Sequence, residues 1–282
     1  MVYKDLIKEY TTPLQPVPTN LEPAGHLHAP VKAVLFDIYG TLFISRSGDI
    51  RIAKRDAQTA AQLEYLIQDY DYQGSAEELI ASFFQVIQTR REALRQQGLD
   101  YPEVQIDEIW HQVLGTSDIE DARRFAVEFE MIVNPSYPMP NLAGTLSAFK
   151  QSRLIMGIVS NAQFFTPILF KTFLGDFPEN IGVEAKLVLY SYQHRVAKPS
   201  QRLFQLAAER LQSFGITPED ALYVGNDMLN DIMPASAEGF QTALFAGDKR
   251  SLRLRGDDPR CNGLSPDLII TDLCQLVKQV LK

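Results

Sequence analysis

The sequence predicts an α/β chain, a Rossmann-like parallel sheet with helices on both faces and a smaller all-helical unit inserted near its start. Three observations predict it. The runs Val31 to Phe36, Leu154 to Val159 and Ala221 to Val224 are short and almost unbrokenly apolar, as strands buried on both faces are. From Tyr137 onward strand-like and helix-like segments alternate, which is the pattern of crossover units in a parallel sheet. From about Ser45 to Pro135 apolar residues instead recur at three- and four-residue spacing, the mark of packed helices.

Each element can be justified in order. Residues 1–30 form an N-terminal extension, because Pro13, Pro16, Pro18, Pro23 and Pro30 exclude a long helix. Met1 to Tyr10 is expected to form a short helix packing on the body, and His26 and His28 to lie on the surface. The first strand, Val31 to Phe36, ends in Asp37. Ala57 to Leu66 predicts one helix, and Leu79, Ile80, Phe83, Phe84, Val86 and Ile87 mark the apolar face of a second, stopped near Gly98. Ile106, Trp110, Val113 and Leu114 predict a third, and Phe125, Phe129 and Ile132 a fourth. Arg90, Arg91 and Arg95 read as a solvated helix face. Then follow a helix over Leu142 to Lys150, the Leu154 strand, a helix over Thr166 to Phe173 and a strand over Leu187 to Tyr190. A helix over Gln201 to Phe214 precedes the Ala221 strand. A helix over Ile232 to Glu238, strands at Gln241 to Phe245 and Asp267 to Ile270, and a C-terminal helix complete the chain.

The 282 residues suffice for a full α/β domain and an accessory unit. A net charge of −8 argues against a nucleic-acid binder. No run reaches the apolar length of a membrane span, and the N-terminus lacks a signal pattern. Cys261 and Cys274 have no metal-ligand spacing, and their scarcity suits a reducing cytoplasm. The expected partner is therefore a small molecule.

Four segments carry candidate chemistry. Ligands of open α/β sheets bind beyond the carboxyl ends of the strands. Asp37 stands there, with Gly40 letting the backbone turn and Thr41 offering a hydroxyl. Ser160-Asn161 ends the second strand. Lys198-Pro199 opens an amphipathic pattern through Leu203, Phe204, Leu206, Ala207 and Leu211, with His194 and Arg195 nearby. Gly225-Asn226-Asp227-Met228-Leu229-Asn230-Asp231 ends the third strand.

An aspartate, a small hydroxyl, a lysine and an acidic cluster, in this order, resemble motifs one to four of the haloacid dehalogenase-like hydrolase superfamily, from Val31 to Leu281. The resemblance implies the following roles. Residues 31–45 and 137–282 form the hydrolase core and 46–136 a helical cap. Asp37 is the nucleophile, giving a covalent aspartyl intermediate that water hydrolyses. Thr41, Ser160 and Asn161 hold substrate oxygens, and Lys198 stabilises the charged transition state. A magnesium ion takes ligands from Asp37, the main-chain carbonyl of Tyr39, Asn226, Asp227 and Asp231.

The chain departs from the phosphatase pattern twice. Asn226 stands where phosphatases of the family carry an aspartate, leaving Asp231 the better second carboxylate. Tyr39 replaces the aspartate that serves there as general acid and base; a phenol with a reference pKa near ~10 can donate a proton but is a poor base at neutral pH. Asp-x-Tyr-Gly-Thr instead resembles the 2-haloacid dehalogenases, in which the aspartate attacks carbon, halide leaves without a proton and no metal is needed. Gln62-Leu63-Glu64-Tyr65 matches the end of their cap pattern, but Gln58 stands where its arginine is expected, with Arg51 and Arg55 nearby. The spacing from Gly225 to Asp231 fits a metal site better. The leading expectation is a magnesium-dependent phosphatase of a small phosphorylated metabolite. The alternatives are a metal-independent 2-haloacid dehalogenase and a non-catalytic ligand-binding descendant.

Overall fold

Residues 2–45 and 57–281 are described in the structure, a computed structural model. The chain opens with α1 (Val2–Tyr10), runs extended through the prolines, and adds a two-residue edge strand, β1 (Ala24–Gly25). β2 (Ala33–Phe36) is followed by β3 (Phe43–Ser45). Among the described residues four helices come next: α2 (Ala57–Asp69), α3 (Ala76–Gln96), α4 (Ile106–Leu114) and α5 (Ile119–Val133). β4 (Ser136–Pro138) returns the chain beside β3, antiparallel, with Ile44 opposite Tyr137. This ribbon carries both crossings between the sheet and the helical unit.

The remainder alternates as the sequence predicts. α6 (Leu142–Gln151), β5 (Ile155–Ser160), α7 (Thr166–Leu174), β6 (Val183–Tyr190), α8 (Ser191–His194) and α9 (Arg202–Gln212) lead to β7 (Ala221–Gly225). A single π turn, Met228–Ile232, runs into α10 (Met233–Ala237); β8 (Gln241–Phe245), β9 (Leu268–Ile270) and α11 (Cys274–Val280) follow. The sheet order is β1-β9-β8-β7-β2-β5-β6, parallel except for β1. The α/β fold with a helical unit is thus what the chain forms.

β2 lies inside the sheet, between β7 and β5, and is buried on both faces. Val34 and Phe36 join one apolar cluster with Ile158, Leu222 and Phe149. Ala33 and Leu35 point the other way, into a cluster with Val159, Leu203, Phe204 and Tyr223. This alternation is the two-residue strand period, and both faces are apolar because helices cover both. Phe36 pairs with Ile158 on one side and Val224 on the other, so three strand ends converge where Asp37 begins.

The helical unit has its own core. Trp110 stacks on Phe83 at 4.2 Å between ring centres and meets Phe125 and Phe129 at 4.7 Å each. Ser75 and Glu78 form a reciprocal capping box at the start of α3. Arg91 departs from the expected solvated face and turns toward Glu103, 3.8 Å away.

The extension is a strap across the molecule. Ile7 is fully buried, Tyr3 donates to Glu120 at 2.6 Å and Tyr10 to Glu128 at 3.0 Å, so α1 grips α5. Tyr3 also meets Phe164, just before α7, ring edge to face. Further along, Thr19 donates to the Ala246 carbonyl (2.6 Å). His26 and His28 are exposed as expected, and His28 pairs with Asp267 at 2.5 Å.

Candidate active site

Asp37 begins where β2 ends, its N–H donating to the Val224 carbonyl of the neighbouring strand at 2.9 Å. The turn beyond it needs a left-handed residue: Gly40 has φ +85°, and a Cβ there would stand 2.6 Å from Asn226 Nδ2. The two Asp37 oxygens differ. Oδ1 accepts from Lys198 Nζ (2.7 Å) and from Ser160 Oγ (3.0 Å). Among the described residues Oδ2 has only Thr41 Oγ1 beside it, at 3.4 Å, and that hydroxyl shares its one proton with Asn226 Oδ1 at 3.2 Å. One oxygen is anchored and the other is free.

Lys198 is buried and bridges two carboxylates, 2.7 Å from Asp37 and 2.5 Å from Asp231. It also donates to Tyr223 Oη at 3.0 Å. Burial alone would lower its pKa, but Asp231 and Asp37 together outweigh burial and hold it above the ordinary lysine value. Asn161 sets its loop reciprocally: Lys198 N–H donates to Asn161 Oδ1 (2.7 Å), and Asn161 Nδ2 to the Lys198 carbonyl (3.3 Å). Asn161 is thereby engaged with the backbone of Lys198.

The fourth segment is arranged differently from the expected metal set. Asp231 Oδ1 accepts from Lys198 and lies 3.0 Å from Tyr223 Oη, while Oδ2 accepts the backbone N–H groups of Asn226 and Asp227, both at 3.0 Å. Burial raises its pKa to about 6, against the pull of Lys198. Gly225 leaves room for this, since a Cβ there would come 2.3 Å from Asp231 Cγ. Asp227 caps the π turn, accepting from Leu229 N–H (2.9 Å) and Asn230 N–H (3.2 Å), and takes a two-point contact from Arg255, at 3.0 Å (Nε) and 2.6 Å (Nη2). Asn226 Nδ2 donates to the Ser251 carbonyl at 2.6 Å.

Magnesium favours oxygen ligands, usually one or two carboxylates with retained water or phosphate. Asp227 and Asp231 have their lone pairs committed to cations and amides. Asp37 Oδ2, the Tyr39 carbonyl and Asn226 Oδ1 remain, with a single negative charge that Lys198 already shares. The described residues contain no group of three or more His, Cys, Asp or Glu placed to hold a metal ion. This donor set fits a resident magnesium ion poorly.

Tyr39 points along the cavity wall, and its hydroxyl lies 2.9 Å from Thr166 Oγ1. Burial, with Glu130 beside it, pushes the phenol well above its usual range, which suits a wall and not a proton shuttle. The cavity of about 500 Å³ is lined by Asp37, Tyr39, Asn161, Lys198, Asn226, Asp227 and Asp231, so the structure brings these predicted residues together. Thr41 and Ser160 sit fully buried beneath its floor. His194 and Arg195 are not part of the lining. Arg51 and Arg55 lie outside the described residues, as does the side chain of Gln58.

Sequence reasoning missed Glu103, Glu130, Asn134, Ser251, Arg253 and Arg255, all of which line the cavity. Glu130 accepts from Asn134 Nδ2 (2.9 Å), and Asn134 Oδ1 accepts from Ser45 Oγ (2.9 Å), a chain that ties the end of α5 to the end of β3. Glu103 accepts from Ser191 Oγ at 2.9 Å. Burial raises both glutamates. Local sequence carried no signal for Glu130, which follows Phe129 directly and so lies off the helix face of Phe125, Phe129 and Ile132.

A family model described as haloacid dehalogenase-like hydrolase matches residues 31–239. Among solved structures, a 2-haloacid dehalogenase from Pseudomonas syringae is similar at 17% identity with a TM-score of 0.57, covering 89% of this chain and 98% of the other. An L-2-haloacid dehalogenase from Xanthobacter autotrophicus is similar at 20% identity with a TM-score of 0.52, covering 89% and 98%. A HAD phosphatase from Thermococcus onnurineus is similar at 20% identity with a TM-score of 0.53, covering 88% and 97%. These identities speak for the fold alone. No curated protein matches the chain. No helix among the described residues is long and apolar enough to cross a membrane.

Proposed function

The chain belongs to the haloacid dehalogenase-like hydrolase family, and from that premise we propose that it hydrolyses a carbon–halogen bond of a small 2-halo acid through an ester on Asp37, without a metal ion. The observation that carries this reading is the state of the acids. The two positions where a metal-dependent phosphatase needs carboxylates hold Tyr39 and Asn226, and the two acids that remain are committed to Lys198 and Arg255. Halide leaves as a stable anion, so Tyr39 need donate no proton.

The free oxygen, Asp37 Oδ2, attacks the halogen-bearing carbon; the new C–O bond forms as the carbon–halogen bond breaks. Oδ1 becomes the ester carbonyl oxygen and keeps the Lys198 and Ser160 donors. When water attacks Cγ, negative charge develops on that same oxygen, where these donors are already in place. The acyl C–O bond then breaks; one proton of the water passes to the departing alkoxide oxygen, releasing a 2-hydroxy acid, and the other goes to solvent, restoring the carboxylate. Asp231 and Tyr223 hold Lys198 on line.

A second reading, a magnesium-dependent phosphatase of a small phosphorylated metabolite, draws support from one observation. The Tyr39 carbonyl accepts no hydrogen bond from the described residues and could join Asp37 and Asn226 as a neutral ligand. Two unpaired cysteines support a reducing, cytoplasmic setting for either reading.

A panel of 2-halo acids and phosphate monoesters, assayed with and without EDTA, separates the two. Halide release unaffected by EDTA and abolished in Asp37→Asn is expected. Phosphate release with a strict magnesium requirement would overturn the proposal in favour of the second reading. Ligand binding with no turnover of either class would point to a non-catalytic descendant.

A further inference from the structure

The cavity wall carries a cation that the chemistry above does not use. Arg253 follows β8 and lines the cavity. Its backbone is stitched to the fourth segment on both sides: its N–H donates to the Asn226 carbonyl (3.0 Å), and its carbonyl accepts from Met228 N–H (2.9 Å). The strap braces the same loop from outside. Val17 N–H donates to Asp248 (3.0 Å), Lys249 N–H to the Val17 carbonyl (2.7 Å), and Arg250 to the Gln15 carbonyl.

The guanidinium is oriented by one nitrogen. Nη1 donates to the carbonyls of Arg250 (2.7 Å) and Leu252 (3.0 Å). The Nε–Nη2 edge, the edge that grips a carboxylate at two points, makes no hydrogen bond with the described residues. Arg255, two residues on, shows that grip satisfied, with the same two nitrogens on Asp227. Among the described lining residues, Lys198 is matched by Asp37 and Asp231, and Arg255 by Asp227. Glu103 and Glu130 are held toward the uncharged form by burial. Among the described residues Arg253 is the lining cation without an acid.

Three hydrogen bonds link the Arg253 backbone through Asn226 and Thr41 to Asp37 Oδ2, and Arg253 and Asp37 line the same cavity. We propose that Arg253 anchors the carboxylate of the substrate through its Nε–Nη2 edge and so selects small acids over neutral analogues. Resting on the haloacid reading, this puts the carboxylate anchor on the core loop after β8.

The test separates binding from turnover. Lactate, lactamide and inorganic phosphate are titrated calorimetrically into the full chain and its Arg253→Gln and Arg253→Lys variants. Thermal unfolding is recorded for each. Wild type should bind lactate and discriminate against lactamide. Arg253→Gln should weaken lactate about 10- to 100-fold, the range of a charge-assisted two-point contact, and leave lactamide unchanged. Arg253→Lys, with charge but no fork, should fall between. In turnover of 2-chloropropionate, Arg253→Gln should raise KM and spare kcat. Equal lactate affinity in wild type and Arg253→Gln, or none in wild type, overturns the assignment. So does phosphate bound more tightly than lactate and lost in Arg253→Gln. If lactate binding follows the prediction but no halo acid is turned over, the anchor stands and the haloacid chemistry fails.

Discussion

Replacing Lys198 by Met leaves an unbranched side chain one atom shorter and removes its charge from between two buried carboxylates. In the native chain the ammonium is 2.7 Å from Asp37 and 2.5 Å from Asp231. Removing one partner of a buried pair typically costs about 3–5 kcal/mol, because the remaining charge is stranded. The strand can be relieved by a proton, which makes the cost depend on pH. Asp231 already titrates at about 6 in the fold against 3.8 as a free side chain. A group raised in this way contributes stability that is full below its unfolded value and lost as pH rises through its folded value. In wild type that window lies between 3.8 and about 6. Without Lys198 the folded value climbs further, each unit adding about 1.4 kcal/mol to the loss at high pH. Lys198→Met should therefore lose about 3–5 kcal/mol at pH 8 and about 1–2 kcal/mol at pH 5. Urea unfolding at the two pH values measures both. An equal loss at pH 5 and pH 8 would refute the reasoning, and Lys198→Met/Asp231→Asn should recover part of the pH 8 loss.

Two further outcomes follow from the same geometry. Ser160→Ala removes one donor from the oxygen that becomes the ester carbonyl, so deacylation should slow about 100-fold or more, with the ester accumulating as a mass adduct on the Asp37 peptide; unchanged kcat and no adduct would contradict the assigned role. Gly225→Ala forces a Cβ to within 2.3 Å of Asp231 Cγ, an overpacking worth about 1–3 kcal/mol, and an unaltered urea midpoint would count against it.

The sheet was legible because its signal is local. β2 and β7 are apolar runs, and their buried faces follow from helices on both sides. β1, β3 and β4 were not anticipated: they span two or three residues and are defined by the strand they pair with. The convergence of Asp37, Ser160 and Lys198 was readable from motif order, since each follows a strand end or opens a helix. In the fourth segment the partners of the acids were hidden for a physical reason. Asp227 and Asp231 look alike as a local acidic cluster, yet Arg255 lies 28 residues from one and Lys198 lies 33 from the other. Local sequence cannot reveal that a carboxylate is already satisfied. Glu130 and Arg253 escaped likewise, one on a helix flank beside the apolar stripe and the other on a loop with no motif.

Residues 2–19 act as a hasp. One end, through Tyr3, Ile7 and Tyr10, fastens the roof to the body; the other, through Gln15, Val17 and Thr19, props the ledge on which the Arg253 guanidinium is mounted. One short stretch of backbone therefore touches both the helical unit, at Glu120 and Glu128, and the loop that carries Arg253, at Asp248, Lys249 and Arg250.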